Sequence, residues 1–209
     1  ESVELFDGVS YKAVNDNYEI SIINNTLFSP TRVKITPDGK HMLVTQLTGE
    51  VLAFDREGNG WANEPYLVSK VDTKFKGFPP DEAGLVGMIF SNDYEKNGKI
   101  FLLYTFKDEG GKTQNRISLV KTLEVFGKLI GVYSKVIFEA NAPGSGSHQI
   151  TDGIPVIVSG KPHLLFLIGD GFDAKRSQNQ ELEAGKIMLI SEDGKTKKVQ
   201  AKGIRNGYS

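Results

Sequence analysis

Apolar and polar residues alternate along this chain in short bursts, two residues to the period, and each burst closes on a cluster of turn-forming residues. Residues 31–35 (Thr-Arg-Val-Lys-Ile) alternate, Pro37-Asp38-Gly39-Lys40 turns, and His41-Met42-Leu43-Val44-Thr45 follows. Thr48-Gly49-Glu50 turns again into Val51-Leu52-Ala53-Phe54. This predicts three antiparallel strands joined by tight turns. A further strand is expected over 65–71, then a Pro79-Pro80 loop. The pattern returns with an apolar run at 85–90, a turn at 92–98, a strongly β-prone strand at 99–105, a polar loop at 107–114, and strands at 116–123 and 134–138. A third unit has strands at 154–158, 164–168, 186–190 and 197–201, the last two joined by Glu192-Asp193-Gly194-Lys195. Residues 18–23 alternate weakly and predict one strand ahead of all three units. Nothing keeps a 3.6-residue apolar period over a helix's length, and the one helix-friendly segment, 177–184, is short and polar.

Eleven to thirteen short strands at this spacing fit an all-β sandwich, barrel or propeller. The repeat of three units, over about 30–75, 84–140 and 150–202, favours a β-propeller of four-stranded antiparallel blades. Closed propellers hold about four to eight blades, so three make a partial ring. The expected organisation is an N-terminal segment, 1–29, leading into a partial β-propeller, 30–209.

Composition narrows the chemistry. Hydrophobic residues are 39% and charged residues 24% of the 209, which suits a globular protein and leaves no apolar stretch for a membrane span. The net charge of −1 comes from scattered basic residues, giving no footprint for nucleic acid. There is no cysteine, so disulfides, thiol catalysis and zinc–thiolate sites are excluded. The first residue is Glu1 and no basic-then-apolar leader precedes it, so a processed or trimmed chain is expected.

Residues able to do chemistry lie at strand ends and loops. His148 follows the small-residue loop Gly144-Ser145-Gly146-Ser147. It suits a general base, although an exposed loop histidine reads the same way. Asp170 closes the run 164–168 in Ile-Gly-Asp-Gly, as an imidazole's orienting carboxylate or an ordinary turn aspartate. Arg205-Asn206 by itself is a polar loop end, and Glu82 a solvated loop acid. His41 and His163 sit at strand edges and take no role. Trp61 and Phe75 are expected to pack. No cluster suggests a metal site, and no G-x-G-x-x-G lies between a strand and a helix.

The motif order raises these residues. Gly84-Leu85-Val86-Gly87-Met88-Ile89-Phe90, then Asp93-Tyr94, Asn97-Gly98, and an apolar strand ending Tyr104-Thr105, resemble the glucose/sorbosone dehydrogenase family of soluble quinoproteins. Thr36-Pro37-Asp38-Gly39, Arg116-Ile117-Ser118, Gly185-Lys186-Ile187, Asp193-Gly194 and Gly203-Ile204-Arg205-Asn206 resemble further family motifs in the same order.

The resemblance implies a six-bladed propeller with pyrroloquinoline quinone (PQQ) and Ca²⁺ at the top of its channel. The chain looks like the first half, with the calcium-binding segment in the other. It implies a dehydrogenase oxidising a sugar or similar alcohol, in a periplasmic or secreted setting, with an external electron acceptor. His148 would be the base, Asp170 its orienter, Arg205 and Asn206 cofactor contacts, and Glu82 a substrate contact. Two departures stand out: Gln149-Ile150 replaces the usual Gly-Gly or Gly-Arg, and Gly207 the usual proline. Self-association, or pairing with a C-terminal half, is expected to cover the open ring. A propeller that binds a protein or carbohydrate ligand without turnover is the alternative function, since fold does not fix function.

Overall fold

The computed structural model describes residues 2–4, 10–12, 15, 17, 18, 20–142, 144 and 146–207. A hairpin of β1 (Ser2–Glu4) and β2 (Ser10–Lys12) stands first. Three antiparallel meanders follow. The first is β3 (Pro30–Ile35), β4 (His41–Gln46), β5 (Glu50–Glu57) and β7 (Tyr66–Lys70), with β6 (Gly60–Trp61) folded back on the end of β5. The second is β8 (Leu85–Phe90), β9 (Lys99–Lys107), β10 (Thr113–Val125) and β11 (Lys128–Glu139). The third is β12 (Ile150–Val158), β13 (Lys161–Ile168), β14 (Lys186–Ser191) and β15 (Lys197–Lys202). Each is a four-stranded propeller blade with its strands in sequence order. The first strands adjoin, β12 against β8 and β8 against β3, which makes them the inner strands.

The side-chain period of two sets the packing. Along β9, Ile100, Leu102, Tyr104 and Phe106 face blade 1 and join Leu43, Val51 and Val68. The intervening Phe101 and Leu103 face blade 3, against Leu164, Phe166, Met188 and Ile190. Both faces of this strand are buried, so its sequence reads as an unbroken apolar run. Inner strands approach closely where glycine allows it. A Cβ on Gly87 would lie 2.1 Å from the Thr151 carbonyl oxygen, and one on Gly153 2.4 Å from that of Leu165. Beside them Asp152, buried on β12, takes the Arg32 Nε at 3.2 Å and the Lys34 Nζ at 3.0 Å from β3. Its other oxygen accepts the Met88 N–H of β8 at 3.2 Å. One carboxylate thus ties all three blades.

Some local expectations need correction. Residues 18 and 20–23 form no strand, and Ile20, Ile22 and Ile23 are exposed; weak alternation makes no strand without a neighbour to pair with. The turn at 92–98 contains a single helical turn, Tyr94–Asn97, closed by left-handed Gly98. The segment 177–184 is mostly irregular; a short 3-10 turn, Ala174–Gln178, takes in only its first two residues. Strands β10 and β11 are longer than expected and meet at a two-residue turn, Phe126-Gly127, with φ of 49° and 77°. Two positive φ values make this a type I′ turn, which usually signals itself as Asn-Gly. Phe126 is fully exposed and gains nothing from packing. Phe126→Asn should therefore raise stability by about 0.5–1 kcal/mol, read as a higher urea midpoint; a lower midpoint would show that the ring contributes to the fold.

At the end of the blades where β4 begins and β5 ends, His41 is buried with Nδ1 3.0 Å from Asp55 Oδ1. Tyr66 Oη donates to the same oxygen at 2.8 Å and accepts the Leu129 N–H at 2.9 Å, while Lys128 pairs with Asp55 Oδ2. Burial pushes the Asp55 carboxyl up, but the bonds from Lys128, Tyr66 and His41 outweigh it and hold the group below its ordinary 3.8. Its stabilising contribution is complete above that value and is lost as pH falls through the lowered one. The stability gap between the unmodified chain and Asp55→Asn should accordingly narrow from pH ~5 to pH ~2 in urea titrations. A gap independent of pH would contradict this.

Candidate functional site

Antiparallel meanders place the starts of first strands and the ends of second and fourth strands at one end of a blade. Glu82 precedes β8, His148 precedes β12, Asp170 follows β13, and Arg205 and Asn206 follow β15. All five therefore belong to the end opposite His41, and backbone bonds draw the loops of His148, Asp170 and Arg205 together. Asp170 N–H donates to the Arg205 carbonyl at 2.9 Å, Gly171 N–H to that of His148 at 3.0 Å, and Gly169 N–H to that of Gln149 at 3.1 Å. Glycine is required at 169, where a Cβ would stand 2.4 Å from the His148 oxygen and 2.8 Å from that of Arg205.

His148 is held unusually. Its φ is 53°, in the left-handed region, which costs a non-glycine residue about 1–3 kcal/mol unless its surroundings impose it. They do so here through both backbone groups: the N–H donates to Glu82 Oε2 at 2.9 Å and the carbonyl accepts from Gly171. The imidazole and the Asp170 carboxylate are both buried, with Nδ1 2.8 Å from Oδ1. A carboxylate only accepts, so Nδ1 carries the proton and Nε2 the lone pair. The same Asp170 oxygen accepts the Phe172 N–H at 2.9 Å. Asp170 thus fixes the ring's tautomer and orientation and can stabilise the imidazolium formed when Nε2 takes a proton.

The structure brings His148, Asp170 and the Glu82 carboxylate into direct contact and pins Arg205 and Asn206 beside them by the backbone. The Arg205 side chain itself is exposed. Asn206 is half-buried, and its Oδ1 is buried with no hydrogen-bond partner. A groove of about 300 Å³ runs nearby, lined by Thr31, Arg32, Glu82, Val86, Gln149 and Thr151. His41 and His163 lie away from this site, His163 Nδ1 being 2.9 Å from the Lys161 carbonyl oxygen.

Two residues of the site escape a reading of the sequence. Asn115, fully buried at the start of β10, donates from Nδ2 to Gln149 Oε1 at 2.7 Å and accepts the Ile150 N–H on Oδ1 at 2.7 Å. It anchors the backbone that carries His148; its one signal is a poor strand former inside a β-prone segment. Phe172 packs its ring on His148, with centroids 4.8 Å apart. No local pattern marks it.

Comparison with known proteins locates the chain. The model of the Glucose / Sorbosone dehydrogenase family matches residues 27–203. A soluble aldose sugar dehydrogenase from Escherichia coli superposes with a TM-score of 0.69 at 19% identity, over 89% of this chain and 54% of that one. The PQQ-bound aldose sugar dehydrogenase from Streptomyces coelicolor gives 0.67 at 20% identity, over 90% and 54%. The Hedgehog-interacting protein of Mus musculus is 32% identical over 112 residues, covering 52% of this chain and 16% of that protein. The chain thus spans about half the length of these solved structures.

Proposed function

The chain belongs to the Glucose / Sorbosone dehydrogenase family, and from that premise we propose that its His148–Asp170 pair serves the oxidation of a sugar or similar alcohol. The observation that carries this reading is the buried carboxylate–imidazole pair, which leaves Nε2 to receive a proton. Removing hydride from an alcohol carbon requires that the hydroxyl proton leave to a base, and Nε2 is suited to take it. Asp170 holds the imidazole in place through both states. Glu82, which fixes the His148 N–H, lines the groove in which hydroxyl groups would bind.

No protein side chain accepts hydride, so a cofactor is needed. PQQ, present in one relative of the same fold, supplies a hydride-accepting quinone when bound. The residues here fit such a group. The buried Asn206 Oδ1 lacks a partner, which suits a ligand donor, and the exposed Arg205 guanidinium can stand against charge on a quinone oxygen. Among the described residues no group of three or more His, Asp or Glu could hold a metal ion. The electrons would pass on to an external acceptor. No described helix is long and apolar enough to cross a membrane, consistent with a proposed periplasmic or secreted setting.

A second reading has one observation in its favour. The likeness to a protein whose name states an interaction with Hedgehog supports a propeller that binds a protein or carbohydrate ligand without turnover. Titrating full-length protein with PQQ, with and without Ca²⁺, and then measuring alcohol-dependent reduction of an electron-accepting dye separates the two. Saturable PQQ binding with turnover is expected; absence of PQQ binding sinks the enzyme reading and leaves the binding module.

A further inference from the structure

Phe172 is costly where it stands. Its φ is 68°, directly after Gly171 at 65°, and a bulky residue in the left-handed region is a genuine outlier. The side chain is also 68% exposed, so burial offsets little of that strain. Glycine would hold the same turn with less strain. What the ring does have is position. It packs on the His148 imidazole with centroids 4.8 Å apart and planes inclined at 54°, while its N–H bonds to the Asp170 oxygen that also binds Nδ1. The ring's location is therefore locked to the base, with much of its surface turned to solvent beside it. Aromatic faces offer broad apolar contact to flat, C–H-bearing partners at little cost in side-chain entropy.

We propose that Phe172 is a substrate platform that selects alcohols carried on a ring with an apolar C–H face, such as a pyranose, over acyclic alcohols. The inference rests on the reading of His148–Asp170 as the proton-accepting pair. A ring laid on Phe172 presents a peripheral hydroxyl toward the imidazole, whereas an acyclic polyol has no flat face to lay there and gains little from the platform. Phe172 is thus a specificity-determining residue, with no proton to move.

The test compares unmodified full-length protein with Phe172→Gly and Phe172→Trp, using glucopyranose and the acyclic polyol sorbitol as probes. Glycine suits the backbone conformation, so Phe172→Gly should melt no lower than the unmodified protein. With PQQ bound, it should raise KM for the pyranose about 3–10-fold, well beyond any change in KM for sorbitol, and be rescued by Phe172→Trp. Saturation-transfer NMR supplies a readout that needs no turnover: the sugar's ring C–H signals should show contact with the unmodified protein and lose it in Phe172→Gly. Sugar contact without dye reduction overturns the assignment of the base and keeps the platform. Dye reduction with an unchanged pyranose KM, or an equal loss on both probes, overturns the platform, as does a lowered melting temperature.

Discussion

Full-length protein carrying His148→Ala loses alcohol-dependent dye reduction, with kcat down about 10²–10⁴-fold, while PQQ binding is retained. The first half of this result follows from the buried pair, since no other described histidine lies at this end of the blades to take the hydroxyl proton. The second half follows from the loop geometry. Arg205 and Asn206 are held through the Arg205 carbonyl and the Asp170 N–H, neither of which involves the imidazole ring. Asp170→Asn is the sharper companion. An amide can donate where the carboxylate only accepted, so the imidazole would turn its lone pair inward at Nδ1 and its proton outward at Nε2. A loss of about 10³–10⁴-fold with little change in KM is expected. Unchanged turnover in His148→Ala would remove the base from the mechanism; loss of PQQ binding together with activity would mark His148 as part of the cofactor site instead.

Asp152→Ala should be the most destabilising single polar substitution in the protein, costing about 2–4 kcal/mol. Asp152 is buried at 2% exposure, while the Arg32 and Lys34 side chains it binds are 23% and 28% exposed. Removing it leaves two neighbouring cations without this shared counter-charge and leaves the Met88 N–H without its acceptor. Partial access of water to the cations keeps the cost below that of a wholly buried pair. Asp152→Asn should fall between, because the amide still accepts from Met88 N–H but offers no charge to the cations. Urea denaturation of the three proteins decides the point; a cost under about 0.5 kcal/mol for Asp152→Ala would place the junction of the inner strands in apolar packing alone. In the sequence Asp152 sits beside Gly153 and resembles any turn acid.

That contrast runs through the whole molecule. Strand identity was legible from residues near in sequence: alternation at 31–35, turn chemistry at Pro37-Asp38-Gly39-Lys40 and Glu192-Asp193-Gly194-Lys195, and the two-sided apolar run at 99–105. Those signals fix blade order because a meander pairs each strand with the next one. The Phe126-Gly127 turn was hidden because its dihedrals are imposed by two long strands and not invited by the residues. The loop at 144–149 showed only that a histidine was available. Its left-handed backbone, the bond from Glu82, the support from Asn115 and the ring of Phe172 all depend on segments distant in sequence.

Most strands and tight turns, the three-blade repeat and the collinear motifs of a family were readable along the chain, because each depends on neighbours along the backbone. Tertiary structure alone decided that His148 is buried against Asp170, that Asp152 joins three blades, and that an exposed aromatic stands beside the imidazole. Those outcomes depend on which loops meet at one end of the blades, a contact set by strand direction and inter-blade packing rather than by any residue's own preference.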